Sequence, residues 1–244
     1  MQLRKTLIGA TAALAIVPAG TALAATIQGG PGNERLRGTQ VADAIDGNAG
    51  NDRIWGRGGD DQVTGGEGAD RVYGGAGNDG LKGGDARDRI YGGSGNDTSS
   101  GEAGNDRMAG GTGDDVQDGG PGNDTIYANL GRDTSTGGDG NDTLWALARG
   151  DVQPGPSGEV DQTGDTLDGG PGNDTFRTRD GEVDRITCGD GTDRALLDQV
   201  DVILDATAER PDGSCEKVVR RAAKGKDSKS EDAQQAPKEA GVQS

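Results

Sequence analysis

The chain has 244 residues, of which 48 are Gly, 30% are hydrophobic and 2% are aromatic, a composition that excludes a conventional globular core for this length. Its net charge of -17 argues against nucleic acid as a partner. His is absent, which excludes His-based zinc or copper sites and His acid–base catalysis, and two Cys cannot make a four-thiolate zinc site.

Arg4 and Lys5 precede an apolar, alanine-rich run from Thr6 to Leu23, and Ala22-Leu23-Ala24 is a small-x-small cleavage sequence. The pattern predicts a secretory signal peptide over 1–24, a mature chain that begins at Ala25, and an extracellular location. Its removal takes the net charge from -17 to -19. No other segment is apolar enough to span a bilayer.

From Gly29 to Trp145 the chain keeps a nine-residue period through thirteen units, each approximating Gly-Gly-x-Gly-x-Asp-x-apolar-x. The sixth place holds Glu34 and then Asp43, Asp52, Asp61, Asp70, Asp79, Asp88, Asp97, Asp106, Asp115, Asp124, Asp133 and Asp142. One carboxylate thus returns every nine residues in a loop too glycine-rich to hide its carbonyls, an oxygen-rich design for a hard cation. The first six residues of a unit predict a turn. The last three predict a short strand whose middle residue, place eight, faces inward.

Sorting the units by parity sharpens this. At place eight, odd units read Leu36, Ile54, Val72, Ile90, Met108, Ile126 and Leu144, all apolar. Even units read Ile45, Val63 and Leu81, then Ser99, Gln117 and Ser135. Two units therefore close one coil, and the fold class is all-β: a parallel β-roll, or β-solenoid, over 25–145. Coils stack about 4.8 Å apart, which sets Asp52 over Asp70 and Asp61 over Asp79. Ca²⁺ takes six to eight oxygens at about 2.3–2.6 Å and suits such a gap better than Mg²⁺, which keeps its water. Six gaps between odd turns and five between even turns set a ceiling of eleven ions. One apolar side chain per nine residues cannot offset the ordering entropy, so folding is expected to depend on the cation.

Residues 146–168 break the period around Pro154-Gly155-Pro156 and read as a loop insertion. Residues 169–216 read as terminal repeats and a cap. Gly169 opens a full unit with Asp174 at place six, and two decayed units follow, displaced one place by Thr178, with Asp184 and Asp193 at place six. Leu196 to Leu204 suits a capping strand or short helix. In a secreted chain Cys188 and Cys215 are expected to pair and staple the cap. Residues 217–244 read as a disordered tail.

Five aromatics, Trp55, Tyr73, Tyr91, Tyr127 and Trp145, share place nine of the odd units, beside Arg35, Arg53, Arg71, Arg89 and Arg107 at place seven. Two readings stand: a stacking ladder with Arg over the rings, or an outward surface that binds cell-wall or extracellular polysaccharide in an adhesion or matrix protein. No nucleophile motif appears, and every regularly placed carboxylate is explained as a ligand. The chain therefore reads as a non-enzyme, with a polysaccharide-modifying enzyme as the weaker alternative.

The segments GGPGNDTIY (119–127), GGSGNDTSS (92–100) and GGPGNDTFR (169–177) resemble the hemolysin-type calcium-binding repeats, also called repeats-in-toxin. The resemblance covers Gly29 to Trp145 and resumes at Gly169, running to about Leu196. It implies a β-roll that folds on binding calcium, with the place-six carboxylates from Asp43 to Asp142, together with Asp174, as side-chain ligands. No toxin, protease or lipase domain is visible, and the export signal is N-terminal. In this the chain looks more like the small secreted repeat-only proteins common in actinobacteria.

Overall fold

In a computed structural model of the chain, the described residues are 23–146, 164–206 and 213–221. The expected signal peptide (apart from its last two residues), the greater part of the insertion and residues 222–244 of the expected tail lie outside them.

Strands of alternating parity have to bury one side chain each against the opposite strand of their own coil. The architecture does this with two ten-stranded parallel sheets, one built from the odd units and one from the even units. Register is constant at 18 residues through the array, as in Ile54 opposite Val72 and Ile45 opposite Val63. Among the described residues every named element is a strand, so the expected β-roll is what forms and no helix caps it. No helix among those residues is long and apolar enough to cross a membrane.

One local expectation is corrected. The strands of the central units are six residues long, as in Arg53–Gly58, Gln62–Glu67 and Arg89–Ser94, where three were expected. Hydrogen bonding to the next coil continues through places one to three of the following unit, and the turn proper occupies places four to six. A left-handed residue at place two lets the corner be turned without losing the ladder: Gly75 sits at φ 119° and Gly93 at φ 123°. Five non-glycine residues adopt the same region, Asn48, Arg57, Glu102 and Asn129 at place two and Ala86 at place four.

Place eight faces inward throughout. Ile45, Ile54, Val63, Val72, Leu81, Ile90, Met108 and Ile126 form one buried cluster. On the even side the cluster stops at Ser99, Gln117 and Ser135, which are buried and polar. With its amide oxygen accepting from the Gly110 N–H, Gln117 donates to the Tyr127 carbonyl and to Ser135 Oγ, which satisfies this interior polar layer.

The insertion is shorter than its expected bounds. Strand Thr166–Asp168 pairs with Thr134–Thr136, and Thr175–Thr178 pairs with Thr143–Trp145, so the roll resumes its stacking by Thr166. At the C-terminal end Leu144, Leu167, Phe176, Ile186, Leu197 and Ile203 surround the Cys188–Cys215 disulfide. The tail boundary is also corrected. Lys217–Arg220 is a strand paired with Arg194–Leu197, because Val218 packs against that second core.

Candidate metal centre

The place-six carboxylates stand in two buried columns, one along each edge of the roll. From Asp52 to Asp193 each is at most 2% exposed. Each uses Oδ1 in the same way, accepting the backbone N–H of the column member one coil earlier. In the even column Asp61, Asp79, Asp97, Asp115, Asp133, Asp165 and Asp184 each accept from their predecessor at 2.7–2.9 Å. In the odd column Asp52, Asp70, Asp88, Asp106, Asp124, Asp142, Asp174 and Asp193 do the same at 2.7–2.8 Å.

The other oxygen, Oδ2, is the chemical fact of the site. In Asp52, Asp61, Asp70, Asp79, Asp88, Asp97, Asp106, Asp115, Asp124, Asp133, Asp142, Asp174, Asp184 and Asp193 it is buried without a hydrogen-bond partner. A buried, unpaired carboxylate oxygen is costly unless a cation or proton meets it. The place-one glycine keeps this oxygen close to main-chain oxygen. A Cβ on Gly47 would meet Asp52 Oδ2 at 2.6 Å and would also run into the Gly65 carbonyl. The same clash recurs at Gly65 with Asp70 Oδ2 and the Gly83 carbonyl. Carboxylate and carbonyl oxygens thus converge around each corner that opens with glycine, a donor set that fits a hard cation and carries no nitrogen or sulfur. No cluster of three or more acidic or thiolate side chains able to hold a metal occurs among the described residues. A cation here must therefore complete its shell with carbonyls.

A family model of four RTX calcium-binding nonapeptide repeats matches the chain over 28–63, 46–81, 64–99, 73–108, 82–117, 100–135, 109–144 and 161–195. The chain belongs to the RTX calcium-binding nonapeptide repeat family. The search among curated proteins returned no match. Calcium is accordingly the cation these RTX repeats imply, and the bare Oδ2 atoms fit it.

Electrostatics of the metal-free RTX columns point the same way. Burial pushes the carboxyls up, with hydrogen bonds from the preceding backbone pulling back and neighbouring carboxylates adding to the rise. Asp97, Asp124 and Asp142 reach about 7, Asp88 about 8 and Asp133 about 9. Without metal, Asp88 and Asp133 are held as the neutral acid near neutral pH and Asp97, Asp124 and Asp142 titrate there, whereas Asp61, Asp70, Asp106, Asp115 and Asp174, at about 6, are mainly ionised.

Asp43 is in the even column but differs from its neighbours. Oδ1 accepts from the Ala25 N–H at 2.6 Å and lies 3.2 Å from Thr39 Oγ1, while Oδ2 accepts from the Thr39 N–H at 2.5 Å. Asp165 is a member that sequence reasoning missed, with Asp184 and Asp193 recognised in register but left out of the ligand set. Counting back nine from Asp174 lands on Asp165, a signal hidden because the turn before it does not carry the glycine pattern.

A second ladder was also missed. At place five the backbone N–H donates back to the side-chain oxygen of the preceding coil, as from Asn51 to Asn33, Asn96 to Asn78, Asn141 to Asn123 and Asn173 to Asn141, at 2.8–2.9 Å. Its direction is opposite to that of the Asp columns one residue away.

The aromatic column is corrected in part. Tyr127 and Trp145 are 3% and 5% exposed, so they offer no partner surface. Trp55, Tyr73 and Tyr91 stack at 5.7 and 4.8 Å under Arg37, and Tyr127 stacks on Trp145 at 5.8 Å between Arg107 and Arg177. Small Ala109 separates the two stacks in the register. The arrangement is the stacking ladder with Arg over the rings.

Proposed function

We propose that this RTX protein is secreted and that its β-roll folds as Ca²⁺ enters the gaps between stacked turns. The bare, buried Oδ2 repeated at each interior turn carries the reading. The side-chain ligands are Asp52, Asp61, Asp70, Asp79, Asp88, Asp97, Asp106, Asp115, Asp124, Asp133, Asp142 and Asp174, extended by Asp184 and Asp193 in the same position. When bound, calcium supplies positive charge to stacked carboxylates that otherwise repel. The chain's part is to hold each carboxylate by Oδ1, to leave Oδ2 open and, in the units that open with glycine, to keep place one free of side chains.

The energy scale agrees. A site with a dissociation constant near 0.1 mM in ~1 mM calcium adds roughly 1.4 kcal/mol, and about eight such sites match the whole net stability of a domain. The stacking ladder accounts for the aromatic column, so no polysaccharide partner is proposed. Assignment of the regular carboxylates to calcium likewise leaves no catalytic role to propose.

The test is circular dichroism of the mature protein during titration with Ca²⁺ and, separately, Mg²⁺. A cooperative gain of β signal with calcium alone is expected. A full β spectrum in chelator at neutral pH would sink the coupling of folding to metal.

A further inference from the structure

Projected back one 18-residue coil from Asp43, the sixth place falls on Ala25. The structure keeps that register. The Ala25 N–H donates to Asp43 Oδ1 at 2.6 Å, the same bond that the Asp43 N–H makes to Asp61 at 2.7 Å. The Ala25 carbonyl accepts from the Ala44 N–H at 2.9 Å, and strand Thr26–Gln28 then pairs with Ala44–Asp46. On the other side of Ala25 the chain leaves the roll: Ala24 is exposed and Leu23 is 55% exposed. The first residue of the roll is therefore also the first residue after the small-x-small cleavage sequence.

The chemistry at this end is unlike the interior. Ala25 brings no carboxylate, so the gap between the coils of Ala25 and Asp43 holds one acid where interior gaps hold two. Asp43 is 4% exposed, and Thr39 at place two, where glycine is the rule, hydrogen-bonds its Oδ2. No bare oxygen is left to draw a metal. What the gap lacks is one positive charge against a buried carboxylate.

We propose that hydrolysis of the Ala24–Ala25 bond supplies that charge: the new α-ammonium of Ala25 forms an ion pair with Asp43 and closes the even column without calcium. In this step water adds across the peptide bond. Ala24 departs with the new carboxylate, while the Ala25 nitrogen is retained and takes up a proton. An amide donor becomes an ammonium donor on an unchanged line, and a charge-assisted hydrogen bond is about twice as strong as a neutral one. A cut one residue away would move the ammonium by about 3.3 Å and off this line. The inference rests on the secretion reading given above.

The experiment has two parts. Intact mass and N-terminal sequencing of protein recovered from the medium should give Ala25 as the first residue; another start overturns the proposal. Next, the chain beginning at Ala25 is compared with its N-acetylated form, which keeps the N–H but loses the charge, each with Asp43 and with Asp43→Asn, in saturating Ca²⁺. Acetylation should lower the unfolding midpoint by about 2–4 °C with Asp43 present and leave it unmoved in Asp43→Asn. A chain lengthened by one alanine at its start should lose as much as the acetylated one, which keeps the test open if Asp43→Asn fails to fold. Equal effects of acetylation in both backgrounds, or no effect of either acetylation or lengthening, overturn the pair. Loss of one bound calcium in Asp43→Asn also overturns it and returns Asp43 to the ligands. Calcium-driven folding with a start other than Ala25 defeats this inference alone, whereas a metal-independent β spectrum defeats the calcium reading alone.

Discussion

The interior coils and the C-terminal end are built to the same register but held by different means. Inside the array each unit buries one modest side chain, the even side turns polar at Ser99, Gln117 and Ser135, and each turn from Asp52 to Asp142 leaves a carboxylate oxygen without a hydrogen-bond partner. At the C-terminal end the core gains Phe176 and Leu197 around a disulfide. The last even carboxylate there, Asp201, is satisfied by the chain itself. It accepts from the Thr178 hydroxyl at 2.6 Å and from the Asp198 N–H at 2.8 Å, and Arg220 donates to its carbonyl at 2.9 Å. The difference teaches that one repeat geometry can be completed either by an ion or by side chains. A sequence that provides no side chain must be completed from solution.

The comparison breaks most sharply if the cap is weakened. Cys215→Ser opens a loop of 27 residues and should cost about 3.5 kcal/mol by loop entropy. The loss should be read as a fall in the denaturant midpoint at saturating calcium, with the calcium dependence of the β signal retained. An equal loss of calcium affinity throughout would show that the two regions are not separable.

A single interior ligand should matter less. Asp106→Ala removes one bare oxygen and a ladder acceptor from the middle of the odd column. Two gaps share it, so about 1.5–3 kcal/mol should be lost at ~1 mM calcium. The deficit should shrink as calcium is raised, which a midpoint series at several calcium concentrations reads directly.

Acid should act with opposite sign on the calcium-loaded and the metal-free roll. The interior carboxyls titrate higher in the folded roll than the ordinary value near 3.9, with Asp70 and Asp106 at about 6, Asp97 and Asp124 at about 7 and Asp88 at about 8. Their contribution to a metal-free roll is thus fully present below about pH 4 and is lost as pH rises through about 6–8. Calcium needs the deprotonated form, so the calcium midpoint should move to higher concentration as pH falls from 8 to 5.5. In chelator the β signal should instead grow on acidification. A calcium midpoint independent of pH would contradict buried, proton-loaded columns.

The smallest expected effect is a gain. Ala86 stands at place four with φ 78°, where its neighbours in the series carry glycine. Ala86→Gly should stabilise the calcium-loaded roll by about 1 kcal/mol through relief of left-handed strain. A thermal melt at saturating calcium checks it, and a destabilisation would show that backbone entropy outweighs the strain.

Much of the interior was legible because its rule is arithmetic. A period of nine fixes the turn, a parity of two fixes the sheets, and a carboxylate at one place in each unit must stack on its counterpart 18 residues on. Ile54 over Val72 and Asp52 over Asp70 follow from counting. The reading weakened where counting failed. Asp165 sits in register but follows a stretch without the glycine turn, and Asp201 arrives 17 residues after Asp184 in place of 18. The long central strands and the place-five ladder also escaped, since both depend on the angle at which a glycine turns the corner.

By itself the sequence determined the family, the two sheets, the inward residues and the column of acids, because each is a property of spacing along the chain. Only the tertiary structure decided which oxygen of each acid is used and which is left bare. It also decided that Tyr127 and Trp145 are buried, that Lys217–Arg220 completes a sheet, and that Asp43 is already satisfied. Those outcomes depend on contacts between coils and at the ends of the stack, where the repeat has no neighbour to copy and each remaining polar group must find its own partner.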